Sequence, residues 1–348
     1  MTAVSGQRPS AVSSRRRRLW ATVRAAAIAA IIAGSAIALY AERATIASGV
    51  ASFRQSNLGW VMAGFAAECV SMAAFALLQR RLLLAAGTRL TVGSLLAIAY
   101  TSNAITLAVP VAGSGLAAAY SQRKFRGRGA DTAAVSLALL IAGVISTVAF
   151  AVVAAVGAVA SGNPAAAVLG LAASLGCATA AALIVVILRW PRGRARLRRP
   201  AGWVIRRIQR VAHRPAGDAT VIAAGALERL GSFNLGLAAI GSAFGWALIN
   251  WAADVACLAA AIAAIGVAVP WGKLLLIWSA GAAAASFSPT PYGLGVVDIA
   301  LIAALRGAGL ASPDAVGAVL LYRIITFKIL VTLLWIGYRY LHDRRPAA

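Results

Sequence analysis

Five ionisable side chains lie inside long apolar stretches: Glu68, Asp254, Asp298, Arg323 and Lys328. A charge at the centre of a membrane-crossing helix costs about 2.5–3.5 kcal/mol, so such residues face the protein interior and pair with one another. Two further stretches free backbone groups at the same depth. One reads Val109-Pro110-Val111-Ala112-Gly113-Ser114-Gly115; the other reads Pro289-Thr290-Pro291-Tyr292-Gly293-Leu294-Gly295. Proline removes a backbone donor and glycine admits unusual dihedrals, so helices end there. Open backbone inside a bilayer is tolerated only when it is buried in protein or lines a wet cavity. The chemistry on offer is therefore binding by freed backbone and fixed charge.

Asp298 falls in the first turn after Gly295, where the helix dipole favours an anion. Arg323 lies ten residues beyond Pro313, about 15 Å along a helix. An Asp298–Arg323 pair beneath the second broken segment is the expected arrangement. It can receive a lipid phosphate or a cationic head group, or it can lock the segment in place. Lys328 sits about 140° round the same helix from Arg323, so Glu68 or Asp254 is left to serve it. Asn103 and Asn250 either line the same cavity or form helix–helix hydrogen bonds.

Other chemistries have little support. Cys69, Cys177 and Cys257 each stand alone in an apolar run, and His213 and His342 lie among arginines. No pair has metal or redox spacing, and no HExxH, GxSxG or phosphate-loop motif occurs, so no cofactor or metal is expected and ATP hydrolysis has no motif. A membrane enzyme acting on a head group needs acid/base carboxylates or a nucleophile near the interface, and the acids are sparse. The expectation is that the protein is not an enzyme.

The elements that must position these residues follow from composition. Of 348 residues, 61% are hydrophobic and 12% charged, with mean hydropathy +0.84. An ordinary soluble domain is about 45–50% apolar and about 25% charged, and disorder needs low hydrophobicity. Long apolar runs replace the alternating segments of about 10 residues that a β-barrel requires. The fold class is all-α, a polytopic membrane helix bundle. Residues 1–18 form a basic disordered tail, 19–341 a single membrane domain, and 342–348 a short cytoplasmic tail. Spans are expected at Leu19–Tyr40, 58–79, 132–160, 165–190, 232–266 and 314–341, with broken segments at 90–120 and 273–306. The run 232–266 has room for one tilted helix or two short ones. In the basic loop 191–218, Trp203, Val204, Ile208 and Val211 recur at helical spacing opposite Arg206 and Arg210, as in an amphipathic helix lying at an interface.

Lys and Arg number 33 against 9 Asp and Glu, a net charge of +24. Among membrane loops this excess marks the cytoplasmic side rather than a nucleic-acid partner, and it faces anionic lipid head groups there. If 90–120 crossed fully, Arg123–Arg128 and Arg192–Arg214 would both fall outside. If it dips in at Pro110–Gly115 and returns, and 273–306 does the same at Pro289–Gly295, every dense basic cluster falls inside. The expected topology is six full crossings plus two oppositely oriented re-entrant hairpins, with both termini inside the cytoplasmic membrane. Paired Gly/Pro-interrupted segments in corresponding positions point to a transport site within an inverted repeat. The candidate substrate-binding residues are Asn103, Pro110, Gly113, Gly115, Pro289, Pro291, Gly293, Gly295, Asp298 and Arg323.

The run Pro289-Thr290-Pro291-Tyr292-Gly293-Leu294-Gly295-Val296-Val297-Asp298 resembles the P-x-P-G-G-L-G-x-x-E signature of the lysylphosphatidylglycerol synthase transmembrane-region family, a group of flippase-like membrane proteins. Arg323 matches the arginine in that family's following helix, and Asn103 with Pro110 fits its first broken segment. The likeness spans roughly residues 20–340. Asp298 stands where the signature has glutamate, Tyr292 stands where it has its first glycine, and the first segment carries no acid. The resemblance implies lipid translocation, or an accessory role in lipid or cell-envelope export. The mid-membrane Arg323 points to an anionic or phosphate-linked lipid, and with no ATP motif the expected translocation proceeds without ATP hydrolysis. Its alternative is a non-transporting scaffold for a lipid or cell-envelope synthase partner. A chain ending at Ala348 leaves no appended synthase domain, so aminoacyl transfer is not expected.

Overall fold

The computed structural model describes residues 56–326 apart from 86, 109–112, 127–131, 163, 213–217, most of 222–235, 287–292 and 294. The first span Leu19–Tyr40, the terminal tails, Pro110, Pro289, Pro291, Tyr292, Lys328, both histidines and the last helix beyond 326 lie outside the described residues. Every described element is helical: α1 (Leu58–Ala85), α2 (Val92–Ala108), α3 (Gly113–Arg126), α4 (Thr132–Ala160), α5 (Pro164–Arg189), α6 (Pro191–Ala212), α7 (Leu237–Ala264), α8 (Trp271–Ser286), α9 (Val296–Gly307) and α10 (312–326).

Among the described residues, α1, α4 and α7 are long and apolar enough to cross a membrane. The 28 residues of α1 and of α7 span about 42 Å each. That exceeds the hydrocarbon core of about 30 Å. Large apolar side chains remain on the outside, including Leu58, Met62, Val156, Leu169 and Leu175. A soluble monomer rarely exposes so much apolar surface; lipid is the solvent that accepts it. The protein is a membrane-embedded, multi-pass helical bundle.

Most boundaries match the sequence reading, and two sharpen it. The run 232–266 holds a single helix, α7, from Leu237 onward. The second span continues past Arg80-Arg81 to Ala85 because Leu82 and Leu83 are fully buried and Arg81 bends its guanidinium to donate to Ser242 Oγ at 2.9 Å, a long side chain reaching along an apolar surface. Gly87 then stops the helix with φ 77°, its amide donating to Leu84 and that of Thr88 to Leu83. Left-handed glycine closing a helix in this way satisfies carbonyls that would otherwise face lipid.

The same succession of elements occurs twice. α7 begins and ends 179 residues after α1, α8 begins 179 residues after α2, and Gly266, with φ 80°, follows Gly87 at that interval. α1 and α7 pack antiparallel along their whole length. Asn57 N donates to Ala264 O at one end and Arg81 meets Ser242 at the other. Midway, Asn250 Nδ2 donates to Ser71 Oγ at 2.7 Å and to Ser71 O at 3.1 Å. Small residues, Gly64, Ala243, Ala247 and Ala260, let the backbones approach, as membrane interfaces require.

Both broken segments turn back on themselves. Ser102 of α2 meets Ser121 of α3, hydroxyl to hydroxyl, at 2.6 Å. A Cβ on Gly281 of α8 would lie 2.5 Å from Leu301 of α9, so those two helices also lie side by side. The first hairpin, α2–α3, packs on α1 and α4; the second, α8–α9, packs through α8 on α4 and α7. At the α4–α8 crossing a Cβ on Gly157 would lie 2.7 Å from Leu275 Cβ and 2.8 Å from Leu276 N. Gly157→Val therefore overpacks against backbone, which costs about 1–3 kcal/mol. Gly143→Ala, with no atom within 4 Å of its Cβ, is tolerated. Thermal melting of the detergent-purified variants separates the two; equal melting of Gly157→Val and parent contradicts the close crossing.

Candidate functional site

The second hairpin delivers its charge where the sequence spacing places it. Gly295, at φ 83°, begins α9, and its amide donates to Asp298 Oδ2 at 2.9 Å. A carboxylate folded back over its own helix N-terminus is held by that hydrogen bond and by the dipole. The other oxygen, Oδ1, accepts Arg323 Nε at 2.6 Å. Each of the two side chains keeps 26% of its surface exposed, so the pair is shielded yet reachable. Gly293 sits over the guanidinium: a Cβ there would lie 3.8 Å from Arg323 Nη2 and 2.6 Å from Val297 Cγ2, at a φ of 66°. No larger residue fits both the backbone conformation and the space.

Arg323 has a neighbour that sequence alone leaves unnoticed. Tyr322, one residue earlier on α10, is buried and donates its hydroxyl to Asp254 Oδ1 at 3.0 Å. Trp278 of α8, also buried, donates Nε1 to Asp254 Oδ2 at 3.1 Å. Both Asp254 oxygens are thereby engaged. The Trp278 ring stacks in a triad with Phe150 of α4 and Trp251 of α7, ring centroids 5.4–5.8 Å apart, which fixes the indole that holds Asp254.

Glu68 of α1 is buried and faces Asp254 across the α1–α7 interface. Tyr100 of α2 lies within electrostatic reach of Glu68 on the other side. Electrostatic proximity and hydrogen bonds thus relate the polar groups in a series. The series runs from Tyr100 in the first hairpin to Glu68, Asp254, Tyr322 with Arg323, and Asp298 in the second.

The predicted residues divide accordingly. Gly293, Gly295, Asp298 and Arg323 come together. Asn103 does not join them: it is half-buried and its Nδ2 points at Met72 Sδ of α1, 3.7 Å away. Gly113 and Gly115 open α3 in the first hairpin, and among the described residues no helix of that hairpin touches one of the second. Asn250 serves the α1–α7 contact. Pro110, Pro289 and Pro291 lie outside the described residues. Tyr100, Trp278 and Tyr322 are absent from the sequence-based set, because aromatic residues in apolar runs read as packing or interfacial anchors. Among the described residues no three His, Cys, Asp or Glu side chains gather at a metal-binding distance. What the arrangement supplies is a fixed cation with its carboxylate partner beside two positive-φ glycines.

A family model described as lysylphosphatidylglycerol synthase TM region matches residues 23–334. The chain belongs to that family. A comparison with curated proteins gives no match.

Removing one member of the Asp298–Arg323 pair strands the other. A fully buried pair broken this way loses about 3–5 kcal/mol, and partial exposure reduces the cost here. Asp298→Ala and Arg323→Ala should each lower the melting temperature of the purified protein, and the charge-swapped double variant should recover part of the loss. Parent-like melting of both single variants contradicts the pairing.

Proposed function

We propose that the protein translocates a lipid with an anionic or phosphate-linked head group across the cytoplasmic membrane, without ATP hydrolysis and without a covalent step. The observation that carries this reading is the Asp298–Arg323 pair lying beneath the positive-φ glycines of the second hairpin. A head-group phosphate can replace the carboxylate on Arg323, since guanidinium binds either anion in the same forked geometry. The polar groups between the two hairpins, with the backbone at Gly293 and Gly295, supply a path where bare polar groups would otherwise be costly. Family membership is consistent with a lipid substrate.

In this reading the chain makes six full crossings with two re-entrant hairpins of opposite orientation, and both termini face the cytoplasm. The recurrence of elements at 179 residues supports an inverted repeat, as does the contact of Ser71 with Asn250. Those two are themselves counterparts, and equivalent residues touch where a two-fold axis passes between them. Rocking of one half against the other then opens the site to each leaflet in turn. α6, with arginines at 192, 194, 196, 198, 199, 206, 207 and 210, lies against anionic head groups of the inner leaflet. A lipid synthase is the partner that would supply the substrate.

Two measurements test the reading. Single cysteines at 126 and 204 of a cysteine-free variant should resist impermeant thiol reagents added to intact cells; labelling at 126 from outside removes the re-entrant assignment of α2–α3. Purified protein in liposomes should accelerate flipping of a head-group-labelled phospholipid, glycolipid or polyprenyl phosphate. Gly295→Val, which forces a β-branched residue to φ 83°, should insert but not accelerate it. If none of these lipids moves faster than in empty liposomes, the transporter reading yields to a scaffold for a lipid synthase.

A further inference from the structure

We propose that Glu68 is a proton-binding site, its carboxyl holding a proton against the Asp254 carboxylate, and that uptake and release of this proton accompany movement of the lipid head group. The coupling rests on the function proposed above; the proton site does not.

The packing of α1 fixes where Glu68 points. One turn before it, Gly64 is so close to α10 and α7 that a Cβ would lie 2.9 Å from Ile325 Cδ1 and 3.8 Å from Cys257 O. One turn after it, Ser71 is bonded to Asn250. Glu68 is thereby pinned opposite the stretch of α7 between Asn250 and Cys257, where Asp254 lies. It is 7% exposed, and among the described residues it accepts no hydrogen bond and joins no ion pair. Asp254, by contrast, has a donor on each oxygen.

Among the described residues, the groups that face Glu68 give it no compensating charge; Lys328 lies outside them. α7 offers Asp254 and Cys257, α2 offers Tyr100, and α10 offers Tyr322 and Arg323; Cys69 is its neighbour on α1, and α4 has no titratable residue. Arg323 is engaged with Asp298 at 2.6 Å. Two carboxylates side by side in a medium of low dielectric cannot both remain ionised, and the one with fewer donors keeps the proton. That one is Glu68. A hard metal cation fits worse, because it needs several oxygen ligands and the Asp254 oxygens already accept an indole and a phenol.

The linkage has a definite sign. A phosphate arriving at Arg323 brings negative charge into the series and offsets the cation that stabilises Asp254. Glu68 then holds its proton more firmly, so anionic lipid and proton are bound together and released together. On release the O–H bond of Glu68 breaks, the proton passes to water, and the carboxylate electron pair stays on Glu68.

Infrared difference spectroscopy of the purified protein in liposomes tests the site without any lipid transport. The parent should show a protonated-carboxyl band at neutral pH, and Glu68→Gln should lose it. Asp254→Asn, which removes the neighbouring charge, should make the band vanish at lower pH than in the parent, and this serves if Glu68→Gln does not fold. No band in the parent, or a band that survives Glu68→Gln, overturns the proposal. In a second arm, labelled phosphatidylglycerol is followed under an imposed pH gradient. The parent should move it several-fold faster away from the acidic side, and Glu68→Gln should be indifferent to the gradient. Movement by the parent that ignores the gradient overturns the coupling. Absence of any movement removes the transport reading instead, while the infrared band still decides whether Glu68 holds a proton.

Discussion

The antiparallel contact between α1 and α7 is the interaction on which the rest of the molecule depends. It is built from small residues and sealed midway by Asn250 on Ser71. In lipid there is no hydrophobic drive to press two apolar helices together, so close packing and buried hydrogen bonds must do it. The asparagine sets the register, since a slip of one residue would leave its amide without a partner in a dry interface. That register places Glu68 opposite Asp254. It also provides the surface on which both hairpins are mounted, α2–α3 on the α1 side and α8 on the α7 side.

Charge balance explains the donors that gather around Asp254. Burial makes an uncompensated carboxylate expensive, and hydrogen bonds to the charged form recover part of that cost. Tyr322 and Trp278 supply two such bonds without adding a cation. The cation on the same turn, Arg323, is thereby left to Asp298. Adjacent residues on α10 consequently address different acids, one on α7 and one on α9, and α10 becomes the mechanical link between the bundle centre and the second hairpin. An aromatic hydroxyl is a fixed, neutral donor; a lysine in its place would neutralise Asp254 outright and remove the reason for Glu68 to hold a proton.

The sequence makes the second hairpin largely legible. Pro and Gly mark its break, the dipole argument places Asp298, and helical spacing from Pro313 puts Arg323 at the same depth; the 2.6 Å bond joins what that arithmetic brings close. The series of polar groups between the hairpins was not legible in full. Glu68 and Asp254 announce themselves as charges in apolar runs, but a tyrosine or tryptophan in such a run gives no sign of whether its polar atom meets lipid head groups or a buried acid. Asn250 and Asn103 look equivalent in sequence, yet the first seals a helix contact and the second rests against a methionine sulfur, a weak acceptor. Which of these occurs depends on crossing register, and register is decided by tertiary contacts such as Gly64 against Ile325. The recurrence of elements at 179 residues was faint for a related reason: it lies in helix lengths and stop glycines more than in residue identity.

The proposed movement needs a part that yields and a part that does not, and the packing assigns both. α8 is clamped: Gly157 of α4 admits its backbone with no room for a Cβ, and Trp278 is wedged between Phe150 and Trp251. α9 is held differently. It touches α8 where Gly281 accepts Leu301, and it reaches α10 through the Asp298–Arg323 pair. Its N-terminus rests on two glycines in the left-handed region, which change conformation at little steric cost. In the proposed movement a phosphate that displaces Asp298 from Arg323 removes one tie on the N-terminal end of α9, whose Val297 and Leu301 remain packed in the core beside α10, while α8 stays fixed to α4 and α7. The freed carboxylate still caps its own helix through Gly295, so the half-helix stays an intact unit. In the proposed coupling the same exchange alters the charge beside Tyr322 and Asp254, which is the route by which an event at the hairpin would reach Glu68.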